Sequence, residues 1–159
     1  GTHSEDYSKI NDAVDQLPFQ PNFMILISPV ITMGKYAHQG SLHNFLGEKP
    51  SQENIDYFSN EKHISENTPP TFIVLAQNDP VVNPINSILF YEGMLEHNVS
   101  GSLHVFPEGG HSIALKNNPK SINLWTDLCE EWLNDLSILD KTKTIITPNK
   151  SKFLKAGRF

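Results

Sequence analysis

Two residues at the ends of apolar runs have the types and surroundings for proton-transfer chemistry. Asp79 stands in Gln77-Asn78-Asp79-Pro80, directly after Thr71-Phe72-Ile73-Val74-Leu75-Ala76. His111 follows Leu103-His104-Val105-Phe106 and the pair Gly109-Gly110. A carboxylate beside an imidazole accepts the Nδ1–H, fixes the tautomer and stabilises the imidazolium. The other ring nitrogen can then take a proton from a nucleophile. Glycines before the histidine allow a sharp turn, and Pro80 and Pro84 stiffen the loop that carries the carboxylate. Taken singly, Asp79 reads as a turn residue or a helix-approach cap, and His111 as a surface loop histidine. Together, at successive strand ends, they read as a functional pair.

The elements that must position this pair follow from the pattern of apolar residues. Phe23–Val30 is a short apolar run stopped by Pro29, and Thr71–Ala76 is a second. Both read as strands buried on two faces, and Leu103–Phe106 as a third. A short helix is expected near Asn11–Leu17. Residues 31–66 read as irregular, apart from a helix start with Ser51 as N-cap. Ile85, Ile88, Leu89 and Leu95 follow helical spacing after Pro84. Leu124, Leu128, Trp132 and Leu136 recur every four residues, with Trp125, Cys129 and Leu133 beside them, and predict an amphipathic closing helix. Short strands alternating with helices indicate an α/β fold with mostly parallel strands and flanking helices. Loops beyond the carboxyl ends of such strands carry function, and Asp79 and His111 lie there.

Composition bounds the alternatives. The 159 residues suit one ordinary domain, and 38% hydrophobic with 19% charged residues can bury a core. The net charge of −6 argues against nonspecific nucleic-acid binding. No run approaches the roughly 18 apolar residues of a membrane span. A single cysteine, Cys129, excludes an internal disulfide framework and a multi-cysteine zinc site. Charge is uneven: residues 1–136 carry 6 basic and 17 acidic side chains, whereas 137–159 carry 6 basic residues against Asp140. The expected organisation is therefore a domain over 1–136 and a loosely ordered basic tail over 137–159. The chain opens on Gly1 with no charged-then-apolar leader, so a cut, processed or fragmentary chain is expected.

Thr71–Asn83, Ser102–Leu115 and Leu124–Leu133 resemble the carboxyl-terminal half of an α/β-hydrolase fold. The likeness is to the acetylxylan-esterase-like, short-chain carbohydrate esterases. It extends through Ile27-Ser28-Pro29-Val30, Leu46-Gly47-Glu48, Ser59-Asn60, Thr68–Phe72, Asn86-Ser87 and Phe90-Tyr91, over roughly residues 22–134. The resemblance implies a serine hydrolase of short-acyl carbohydrate esters, with Asp79 as triad acid and His111 as triad base. It implies no cofactor and no metal, and a secreted or periplasmic setting. These enzymes carry their nucleophile in Gly-x-Ser-x-Gly, upstream of the acid and the base. That motif and the glycine-rich oxyanion segment do not occur in this sequence. Since Gly1-Thr2-His3 resembles the end of the helix after such an elbow, the serine is expected upstream of Gly1. The chain alone should then be inactive. Its partners would be a small-molecule or carbohydrate ester, and an amino-terminal half or another chain covering the exposed sheet edge.

Two rivals share these residues. One is a noncatalytic α/β binding or assembly module that lacks the nucleophile. The other is a prolyl-peptidase-like hydrolase, which has the same acid and base loops. As substitute nucleophiles Ser28 precedes Pro29 without elbow glycines, and Ser112 adjoins His111 too closely. His38, His43 and Glu48 fit no zinc spacing and read as solvated loop residues. His104 reads as structural, Trp125 and Trp132 as core, and Cys129 as a buried small hydrophobe. Asn98-Val99-Ser100 and Asn149-Lys150-Ser151 fit the glycosylation sequon.

Overall fold

Strand β2, Thr71–Ala76, is buried at every position, as its unbroken apolar run requires. It lies between two parallel neighbours, β1 (Met24–Ile27) and β3 (Gly101–Phe106), in the order β1-β2-β3. Met24 pairs with Thr71 and Ile27 with Val74; Thr71 pairs with Gly101 and Ala76 with Phe106. The computed structural model describes residues 13, 17–114, 118 and 120–139. The expected helix near Asn11–Leu17 and most of the basic tail lie outside the described residues.

Alternation along β2 feeds two cores. Phe72, Val74 and Ala76 meet Ile113, Ile122 and Cys129, with Trp125, Trp132 and Leu133 packed against them. Ile73 joins Phe90, Met94, Ile64 and Ile31 on the opposite face. Helix α4 (Trp125–Asp135) thus covers one face, and α3 (Ile85–Glu96) with residues 31–64 covers the other. The sheet is the middle of three layers, as the α/β pattern predicts.

Two helix faces differ from the spacing-based expectation. On α3 the buried residues are Asn86, Ser87, Phe90, Gly93 and Met94, while Ile88 and Leu95 are exposed. The face is set by Asn86, whose polar side chain is buried because every one of its groups is hydrogen-bonded. On α4 the packed residues are Trp125, Cys129, Trp132 and Leu133, whereas Leu124 and Leu128 are exposed. Four-residue spacing advances about 400° per step on a helix of 3.6 residues per turn, so such a stripe drifts off the core face.

Residues 31–66 are more regular than expected. Helix α1 spans Gln39–Leu46 and α2 spans Gln52–Tyr57, and a short 3₁₀ turn covers Asn60–His63. Ser51 caps α2 as predicted, its Oγ accepting the Asn54 N–H at 3.2 Å. His38 caps α1 through Nδ1, which accepts the Ser41 N–H at 3.2 Å. Asn86 fastens the start of this segment to α3. Its Oδ1 accepts from Ile31 N (2.9 Å) and Thr32 N (3.0 Å), and its Nδ2 donates to the Tyr36 and Asn83 carbonyls.

Candidate active site

The Asp79 loop begins where β2 ends. A turn at Gln77-Asn78, closed by Asp79 N–H donating to the Ala76 carbonyl (3.3 Å), brings the side chains of Asn78 and Asp79 over the carboxyl edge of the sheet. The Asp79 carboxylate divides its work between its two oxygens. Oδ1 accepts from Val81 N (2.8 Å) and Val82 N (3.0 Å), folding the loop around Pro80. Oδ2 accepts from His111 Nδ1 at 2.9 Å. Asp79 is therefore both a turn residue and the partner of His111.

The His111 loop leaves the neighbouring strand end, since Ala76 and Phe106 are in register. Gly109 and Gly110 have φ of 154° and 65°. A Cβ on Gly109 would stand 2.5 Å from Ile122 Cδ1 and 2.9 Å from Ile113 Cγ2, so the loop lies directly on the core. Gly110 donates its N–H to Asn78 Oδ1 at 3.0 Å. Beyond His111, buried Ile113 anchors the exit, and its carbonyl accepts the Trp125 indole N–H at 3.0 Å.

The electrostatics suit a proton relay. The Asp79 side chain is 2% exposed and that of His111 38% exposed. Burial pushes the Asp79 carboxyl up, but the hydrogen bonds from His111, Val82 and Val81 outweigh it and hold the pKa below the ordinary carboxylate value. An ionised carboxylate only accepts, so His111 carries its proton on Nδ1 and presents Nε2 as a proton acceptor. Among the described residues, the His111 side chain hydrogen-bonds to Asp79 alone.

The other sequence candidates are accounted for locally. Ser28 has a left-handed backbone (φ 46°), and its hydroxyl is buried without a hydrogen-bond partner among the described residues. Ser112 is exposed beside His111. No group of three or more metal-ligating side chains occurs among the described residues. His104 Nε2 meets Ser102 Oγ at 2.7 Å, and its ring packs against Phe72. Trp132 packs on Phe72, while Trp125 adds a hydrogen bond to the His111 loop. Cys129 is buried, which pushes its thiol pKa up. Cavities of about 350 Å³ beside Phe19 and Asn67 and about 190 Å³ along Met24, Leu26 and Phe90 lie away from the pair. The tie from Asn78 to Gly110 and that from Trp125 to Ile113 were not anticipated. The only sequence signal was an amide next to the candidate acid and an indole on the closing helix.

A parallel sheet between helical layers, with a paired aspartate and histidine on the loops after adjacent strands, is the architecture of an α/β-hydrolase. The chain belongs to the prolyl oligopeptidase family, whose profile matches residues 23–136. Its sequence is 37% identical over 116 residues to endo-1,4-beta-xylanase B of Butyrivibrio fibrisolvens, covering 73% of this chain and 18% of that protein. It is 29% identical over 134 residues to an acetylxylan esterase of Xylanibacter ruminicola, covering 81% and 26%. An acetyl ester-xyloside bifunctional hydrolase from Caldicellulosiruptor lactoaceticus superposes with a TM-score of 0.79 at 33% identity, over 83% of this chain and 48% of that one. A carboxylesterase from Lactobacillus plantarum, at 23% identity and TM-score 0.60 over 76% of this chain and 46% of that one, shares the fold. The chain thus spans less than half the length of these relatives. Its kinship is with carbohydrate esterases and hydrolases of the α/β-hydrolase type.

Proposed function

We propose that the protein containing this chain hydrolyses carboxylic esters, with short acyl groups on carbohydrate as the substrate class. Asp79 and His111 serve as acid and base of a serine triad. The observation that carries this reading is the 2.9 Å bond from His111 Nδ1 to the buried, ionised Asp79. The nucleophilic serine and the oxyanion donors are assigned to residues outside these 159, because no Gly-x-Ser-x-Gly occurs within them. The basic residues of 137–159 are assigned to an extension beyond that domain.

In this mechanism the serine Oγ attacks the ester carbonyl while His111 Nε2 takes its proton. The tetrahedral intermediate collapses, and His111 returns the proton to the departing alcohol. Water then attacks the acyl-enzyme, again deprotonated by His111, and releases the carboxylic acid with free serine. Asp79 keeps the ring in the tautomer that presents Nε2 and stabilises the imidazolium.

The test uses the longer protein with acetylated xylo-oligosaccharides. His111→Ala should lower kcat by about 10⁶-fold. Asp79→Asn should lower it by about 10⁴-fold, because the amide can keep the Oδ1 turn yet turns an N–H toward the ring and reverses its tautomer. Ester hydrolysis that survives His111→Ala would overturn the assignment. Membership of the prolyl oligopeptidase family favours a second reading, a peptidase acting beside proline. Faster turnover of Xaa-Pro amides than of acetyl esters would select it.

A further inference from the structure

We propose that Asn78 is a positioning residue for His111, acting through the backbone of Gly110. The inference rests on the reading of Asp79 and His111 as acid and base. Asn78 and Asp79 are consecutive, and so are Gly110 and His111. The two pairs are joined by two bonds side by side, Asn78 Oδ1 to Gly110 N (3.0 Å) and Asp79 Oδ2 to His111 Nδ1 (2.9 Å).

One bond from Asp79 leaves the imidazole free to pivot about the Nδ1–O axis and to move with its loop. The second bond fixes the Gly109–Gly110 peptide, one residue before His111, and so restrains where the ring starts from. Gly110 holds φ 65°, a left-handed conformation that aims its N–H at Asn78. A Cβ there would touch nothing within 4 Å, so the glycine is explained by backbone direction and not by crowding. Asn78 itself is exposed and sits in a turn. Its side chain contributes little to the core, so its loss should be felt in geometry more than in folding. Small displacements of a proton-transfer group cost rate steeply.

The test is made on the longer protein, with Asn78→Ala and Asn78→Asp. Asn78→Ala should lower kcat on a small acetyl ester by about tenfold or more with KM within about twofold, and leave the melting temperature close to that of the parent. Asn78→Asp keeps an acceptor for the Gly110 N–H and should recover most of kcat. Its added carboxylate near the ring should move the acid limb of the pH–rate profile upward. The downfield proton resonance of His111 Nδ1–H provides a readout independent of turnover. It should broaden by exchange in Asn78→Ala and persist in Asn78→Asp. An Asn78→Ala variant with parental kcat and an unchanged resonance would overturn the proposal. So would equal losses of activity and melting temperature in both variants, which mark a structural role only. If the parent hydrolyses no ester, the functional reading fails, and the resonance still decides the role of Asn78.

Discussion

At the scale of single residues, the His111 loop tolerates almost nothing at Gly109. The position combines φ 154° with contacts under 3 Å from any Cβ to Ile122 and Ile113. Gly109→Ala should cost about 3 kcal/mol of stability, from overpacking and backbone strain together. Urea denaturation reads that loss, and a midpoint equal to the parent's would contradict it. His104 gives a pH signature of another kind. Burial lowers its pKa below the ordinary value of 6.5. Through the window between the folded value and that of the unfolded chain, the unfolded chain binds more protons. Stability therefore rises with pH there and falls on acidification below about 6.5. His104→Gln keeps a partner for Ser102 and does not titrate, so its melting temperature should fall less between about pH 7 and pH 5. The Asp79 pKa is lowered as well, but by hydrogen bonds to the charged carboxylate and against the effect of burial. Its contribution is present above the ordinary carboxylate pKa and is lost as pH falls through its depressed folded value, at more acid pH. The meeting of Asp79 with His111 was legible in sequence because each lies in the loop that follows a short apolar run, three residues after Ala76 and five after Phe106. Asn78 was not, since a turn amide has no pattern that reveals its partner 32 residues away.

Elements were legible in proportion to how far hydrophobicity alone defines them. The bounds of β2 coincide with the apolar run Thr71–Ala76, because a central parallel strand is buried on both faces. Helix α1 was missed because it begins His38-Gln39-Gly40-Ser41, with a histidine as cap and a glycine in the first turn. The face of α3 was misassigned because its innermost positions include Asn86 and Ser87. A polar residue in a core is invisible to a hydrophobic pattern until its partners are known. Asn86 holds residues 31, 32 and 36 against the start of α3, and so sets how the post-β1 segment lies on that helix. Asn86→Ala would leave buried N–H and carbonyl groups unpaired at a cost of about 3 kcal/mol or more. Hydrogen exchange should then quicken first at the amides of Ile31 and Thr32. Unchanged protection at those amides would show that α1 and the 3₁₀ turn hold the segment without it.

For the molecule as a whole, three layers and one sheet edge bring the chemistry together. Strands β2 and β3 are in register through Ala76 and Phe106, so their loops emerge side by side. Gln77 N–H donates to the Phe106 carbonyl at 2.7 Å and continues the ladder into the loops. The α/β class was readable from element order, and the family likeness from Ile27–Val30, Thr68–Phe72 and Asn86–Tyr91. The relatives' greater length bears on activity more than on fold, because the proposed acid and base, Asp79 and His111, lie within these residues and the proposed serine outside them. Finally, the indole of Trp125 donates to the carbonyl of Ile113, two residues beyond His111. A chromophore is thus wired to the loop that carries His111, so in a Trp132→Phe background the emission of Trp125 should shift when that loop is displaced from Asp79.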